Sequence, residues 1–178
     1  MSIEENGKII IFGGSFNPVH NGHIRLAVRA KEFIGAGKLI VVPSNISPHK
    51  MGNVTDAGHR LNMCKMAFDG FDGIEVSDLE IKRGGVSYTN DSLNELRMLY
   101  KNFELFLLVG SDMFMGLNTW KKADEIFKLS SICTACRNKD EYNQVLEYSK
   151  FLEDMGAKVS VMELSPMEIS SSEIRNKI

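Results

Sequence analysis

Apolar residues cluster along this chain in two ways. Short apolar runs fall at 8–12, 39–43, 73–76, 103–109, 131–136 and 157–162. The first, Lys8-Ile9-Ile10-Ile11-Phe12, does not alternate with polar residues, the pattern of a strand covered on both faces. Between the runs, apolar positions recur at helical spacing. Ile24, Leu26, Ala27, Val28, Ala30 and Phe33 predict a helix from Gly22 with a broad apolar face, capped by Asn21 and stopped at Gly35-Ala36-Gly37. Leu61, Met63, Cys64, Met66, Ala67 and Phe68 predict a second, capped by Thr55, on which Arg60 and Lys65 read as solvated. Further helices are expected at about 90–100, just after Gly110-Ser111-Asp112, over 141–155, and from Ser170 onward, while 78–83 reads as irregular. Strands that alternate with helices predict an α/β fold. Its form is a Rossmann-like, doubly wound parallel sheet of five to six strands with helices on both faces, in a single domain over 1–178.

One stretch carries chemistry as well as structure: IIIFGGSFNPVHNGHIR, residues 9–25. Gly13-Gly14 ends the strand, and Asn17-Pro18 forces a turn because the residue before proline is pushed out of helical dihedrals. A helix then starts beside two imidazoles, His20 and His23. Helix N-termini offer unpaired N–H groups and partial positive charge to phosphate, and glycines let a ligand approach the backbone. No Gly-Lys-Ser/Thr follows, so this is not a P-loop, and glycines at 13, 14 and 22 do not make G-x-G-x-x-G. Zinc held by the two histidines lacks nearby cysteine or carboxylate ligands.

Gly14-Ser15-Phe16-Asn17-Pro18-Val19-His20 and His20-Asn21-Gly22-His23 match G-x-F-x-P-x-H and H-x-G-H at every fixed position. The joint pattern resembles the signature of the nucleotidyltransferase superfamily, relatives of class I aminoacyl-tRNA synthetases. Later segments resemble one branch, the bacterial nicotinate-nucleotide adenylyltransferases. These are Pro48-His49-Lys50 after the second strand, Ser87-Tyr88-Thr89 at a helix start, Gly110 and Asp112 with Trp120 downstream, and Ile169-Ser170-Ser171-Ser172-Glu173-Ile174-Arg175. Each has a plainer reading too. The 44–53 segment is a polar surface loop, Thr89 and Asp112 are helix caps, Trp120 is a core aromatic, and Ser170 with Glu173 is a capping box. Position 172 is serine where the family usually has threonine, which keeps the hydroxyl.

The resemblance implies adenylyl transfer from ATP to nicotinate mononucleotide, giving deamido-NAD and pyrophosphate, by in-line attack of the mononucleotide phosphate. It implies His20 and His23 on the phosphates, with Lys50 and Arg175 neutralising the departing pyrophosphate. Gly13, Gly14, Ser15, Phe16, Gly22, Gly110, Asp112, Ile169, Ser170 and Ser171 would surround ATP. Asn17, His49, Lys50, Tyr88, Thr89, Trp120 and Arg137 would surround the mononucleotide, with Trp120 stacked on the pyridine. Mg2+ is expected with ATP, without a dedicated protein site. Relatives usually continue about twenty residues past this arginine into another helix, which a chain ending at Ile178 lacks. Rivals are a pantetheine-phosphate adenylyltransferase, a cytidylyltransferase, or a nucleotide-sensing module without turnover.

Composition changes this picture little. With 21 basic and 23 acidic residues there is no nucleic-acid footprint, and no apolar run reaches the ~18 residues of a membrane span. Met1-Ser2-Ile3-Glu4-Glu5 is unlike a signal peptide, and three cysteines, an odd number, suit a reducing cytoplasm. Cys133-x-x-Cys136 has no second pair and lies in a predicted strand, so it reads as structural rather than redox or zinc-binding.

Overall fold

A computed structural model describes residues 7–48, 54–136, 139–165 and 169–177. Six strands, β1 (Lys8–Gly14), β2 (Lys38–Pro43), β3 (Ile74–Val76), β4 (Glu104–Gly110), β5 (Ser131–Cys136) and β6 (Val159–Glu163), form one all-parallel sheet. Their order is β3-β2-β1-β4-β5-β6. The helices are α1 (Asn21–Ile34), α2 (Ala57–Phe68), α3 (Leu79–Arg83), α4 (Thr89–Leu99), α5 (Ser111–Phe114), α6 (Ala123–Leu129), α7 (Lys139–Asp154) and α8 (Ser171–Arg175). A 3-10 turn at Leu117–Thr119 precedes Trp120.

Side chains leave alternate faces of each strand, and this splits the core in two. Ile9 and Ile11 join Leu93 and Leu96 of α4, Ile126 and Phe127 of α6, and Val145 and Leu152 of α7. Ile10 and Phe12 join Ala27, Ala30 and Ile34 of α1 with Cys64 and Phe68 of α2. The helices after β1 and β2 therefore cover one face, and those after β3, β4 and β5 cover the other. The winding reverses between β1 and β4, where an open parallel sheet leaves a crevice at its carboxyl edge. Gly13-Gly14 and Gly110 stand at that edge.

The same alternation settles the Cys-x-x-Cys motif. Cys133 belongs to one core cluster and Cys136 to the other, on opposite faces of β5. All three cysteines are free and buried, and burial pushes the thiols up, Cys64 and Cys133 to about 12 and Cys136 to about 11.

Several helix starts lie one residue away from expectation. His20, not Asn21, is the N-cap of α1, and Tyr88, not Thr89, precedes α4. Asp56 caps α2, its Oδ1 accepting from the N–H groups of Gly58 and His59, because Thr55 is engaged by other partners. The segment read as irregular contains α3, closed by a Lys82–Asp78 ion pair at 3.2 Å. Among the described residues, no helix is long and apolar enough to cross a membrane.

Candidate active site

The loop after β1 is shaped by what its glycines admit. Phe16 takes a positive φ of 44°, rare without a glycine, and its buried ring folds back over Gly14. A Cβ on Gly14 would lie 3.0 Å from that ring. The ring meets Phe12 edge-on at 5.3 Å and His23 at 5.0 Å. Gly22 has the same kind of necessity. A Cβ there would come within 2.9 Å of His20 Nδ1 and 3.2 Å of Ile169 Cγ2. Gly13, by contrast, faces open space within 4 Å of its missing Cβ.

The two imidazoles lie together, ring centroids 3.8 Å apart. His23 Nδ1 accepts the His20 backbone N–H at 3.2 Å, which caps α1 and puts the proton of a neutral His23 ring on Nε2. The α-helix start, the imidazole pair and Gly13 thus form one donor-rich wall.

The far end of the chain closes onto this wall. Ser171 Oγ donates to the Pro18 carbonyl at 2.8 Å, and the Arg175 guanidinium donates to the Asn17 carbonyl and to Ser172 Oγ. Ser170 caps α8 by accepting the Glu173 N–H at 3.2 Å, one half of the expected capping box, while its Oγ donates to Glu173 Oε2 at 2.9 Å. A cavity of about 650 Å³ opens where these segments and the carboxyl ends of β1 and β4 meet.

Most residues singled out from the sequence line that cavity. Gly13, Gly14, Ser15, Phe16, His20, Gly22 and His23 come from the first loop, and Ile169, Ser170 and Ser171 from the last. Gly110, Asp112, Tyr88, Thr89 and Trp120 form the opposite side. Two expected contacts are directed elsewhere. Asn17 is buried outside the lining, its Oδ1 accepting from the Thr55 N–H at 3.2 Å, and Arg175 is bound to the loop as described. His49, Lys50 and Arg137 lie outside the described residues.

Arg60 corrects the expectation of a solvated side chain. It is 1 % exposed and donates to four backbone carbonyls. Nε binds Thr55 at 2.8 Å, Nη1 binds Ser15 at 2.6 Å, and Nη2 binds Ser44 at 2.7 Å and Asn45 at 2.9 Å. Burial pulls the guanidinium below its ordinary value, yet arginine starts so high that the charge persists. The side chain ties the ends of β1 and β2 to the start of α2. A signal for it existed: 60, 64 and 68 fall on one helical stripe with the buried Cys64 and Phe68. Arg25 and Lys121, two further cavity-lining cations, were not singled out either.

A switch-point crevice with a helix N-terminus, paired imidazoles and hydroxyls facing one cavity defines a phosphate-handling α/β protein. The chain belongs to the cytidylyltransferase-like family, whose model matches residues 11–177. It is similar to a Clostridium beijerinckii protein named "Probable nicotinate-nucleotide adenylyltransferase", 34% identical over 174 residues that cover 94% of this chain and 85% of the relative. A Fusobacterium nucleatum protein of the same name is 37% identical over 172 residues, 96% of this chain and 87% of that one. These relatives place it on the family's nicotinate-nucleotide adenylyltransferase branch. In fold it is similar to the Plasmodium falciparum nicotinic acid mononucleotide adenylyltransferase complexed with NaAD. That match has a TM-score of 0.77 at 21% identity, over 96% of this chain and 83% of the other.

Proposed function

We propose that this protein transfers the adenylyl group of ATP to nicotinate mononucleotide, forming deamido-NAD and pyrophosphate in NAD biosynthesis. The observation that carries the reading is the meeting of His20, His23 and the Ser170–Ser171 turn in one cavity whose opposite side holds Trp120, Tyr88 and Thr89. One side suits a polyphosphate and the other a flat heterocycle.

In this reading the mononucleotide's phosphate oxygen attacks the α-phosphorus of ATP in line. A new P–O bond forms as the bond to the β-phosphate oxygen breaks, and pyrophosphate carries the electron pair away. No protein nucleophile is needed. Holding both substrates in line can supply ~7–11 kcal/mol of the barrier, and donors aimed at the developing charge supply more. His23 Nε2–H and the α1 start are assigned to the phosphates, with His20 beside them. The α8 start and Ser171 are assigned to the far phosphates and Lys50 to the leaving charge, while Arg175, bound to the Asn17 carbonyl, positions the α8 start against the first loop. Trp120 is assigned to the pyridine face.

The carboxylates on the cavity wall, Glu80 and Asp112, belong to no cluster of three or more His, Cys, Asp or Glu among the described residues. In this reading magnesium enters with ATP, where it would offset phosphate charge. The three free, buried cysteines support a cytoplasmic setting.

Pyrophosphate release from ATP plus nicotinate mononucleotide tests the reading. One pyrophosphate per deamido-NAD is expected, and no release above the ATP-only rate would reject it.

A further inference from the structure

Phe16 stands in a backbone conformation that its side chain disfavours. A positive φ of 44° is costly for an aromatic residue, and it persists only where the surroundings fix the chain on both sides. Here they do. The Gly14 carbonyl accepts from the Ser44 N–H at 2.9 Å. The Ser15 carbonyl accepts from Arg60 Nη1 at 2.6 Å, and Asn17 Oδ1 accepts from the Thr55 N–H at 3.2 Å. Ser15, Phe16, Asn17 and Arg60 are all buried. Both neighbours of Phe16 are thus fastened to the start of α2 and the residue that leads into it. Neither Thr55 nor Arg60 lines the cavity.

What this turn delivers is the Phe16 ring. It lies over Gly14, edge-on to Phe12, and meets the His23 imidazole at a centroid distance of 5.0 Å and an angle of 68°. The His20 N–H fixes one edge of that imidazole, at Nδ1. Tilt about that bond is set by the rings packed against it, His20 at 3.8 Å and Phe16. We propose that Arg60 is a positioning residue for the reaction. By holding the Ser15 carbonyl it keeps Phe16 in its left-handed conformation, and the Phe16 ring aims His23 Nε2 at the phosphates. This rests on the function proposed above and names what holds its central imidazole.

The test measures kcat and KM for both substrates in wild type, Arg60→Lys and Phe16→Leu, each with and without His23→Ala. Assays run at a temperature where circular dichroism shows the variant folded. Lysine cannot reproduce the planar fork, and leucine fills space without presenting a ring edge. A misaimed donor should lower kcat about tenfold, less than its removal, with both KM values within about twofold of wild type. In the His23→Ala background the same substitutions should lower kcat by less than about twofold, because the imidazole they aim is gone. Equal losses in the two backgrounds overturn the proposal, as does wild-type kcat in folded Arg60→Lys. Should Arg60→Lys not fold, the Phe16→Leu cycle decides in the same way. A readout besides activity is the His23 imidazole signal in the NMR spectrum, assigned through His23→Ala. It should move in Arg60→Lys as it does in Phe16→Leu, and an unmoved signal overturns the clamp. Wild type that releases no pyrophosphate would instead sink the parent function, and the His23 signal then decides the clamp alone.

Discussion

The two ends of the cavity are built differently. The phosphate end draws on both ends of the chain and is held by hydrogen bonds to backbone carbonyls. Arg60 binds four, Arg175 binds that of Asn17, and Ser171 binds that of Pro18. The heterocycle end draws on two segments, 88–91 and 119–121, and is held by ring contacts and one long ion pair. The difference teaches where accuracy is needed. A group that meets charge developing along a reaction path must be fixed to fractions of an ångström, so its frame is backbone. A wall that only stacks against a flat ring tolerates a looser seat.

If that contrast holds, the brace should matter most. Arg60→Ala removes a buried cation from four carbonyls and should cost about 3–5 kcal/mol of folding free energy, read by urea denaturation. Arg60→Lys should recover little, because an ammonium cannot reproduce the planar fork. His23→Ala comes next. It should lower kcat by ~10²–10³ with little change in KM for the mononucleotide, and wild-type-like turnover would refute its role. Trp120→Ala should raise KM for the mononucleotide about tenfold, from lost burial and stacking, and leave ATP nearly unaffected. Equal losses for both substrates would break the division between the two ends. Ser171→Ala is the mildest: loss of one hydrogen bond, about 1 kcal/mol, should raise KM for ATP roughly fivefold.

Sequence reading found what is local. Strands such as Ile9–Phe12 were legible because a sheet covered on both faces needs unbroken apolar runs, and that alternation with helices led to the doubly wound sheet. The histidine pair was legible because the whole motif, Gly14 to His23, lies in one unbroken stretch that runs into a single helix start. The caps slipped by a residue where tertiary bonds compete, as at Thr55, which serves Asn17 and Arg60 instead of α2. Helix α3, at 5 residues, is too short to show a period. Arg60 reads as solvated because its four partners are carbonyls from three other places in the chain, which no periodicity reports. Lys121 is obscure for the same reason: its contact with Tyr88 exists only once the chain has folded.

The placement of Cys133 and Cys136 on opposite faces of β5 has a practical consequence. An oxidant cannot staple the pair together, because a sheet stands between the two sulfurs. Alkylating reagents need a thiolate in contact with solvent, which native burial denies. The rate at which a maleimide labels this protein therefore counts its openings, a built-in gauge of how often the sheet comes apart.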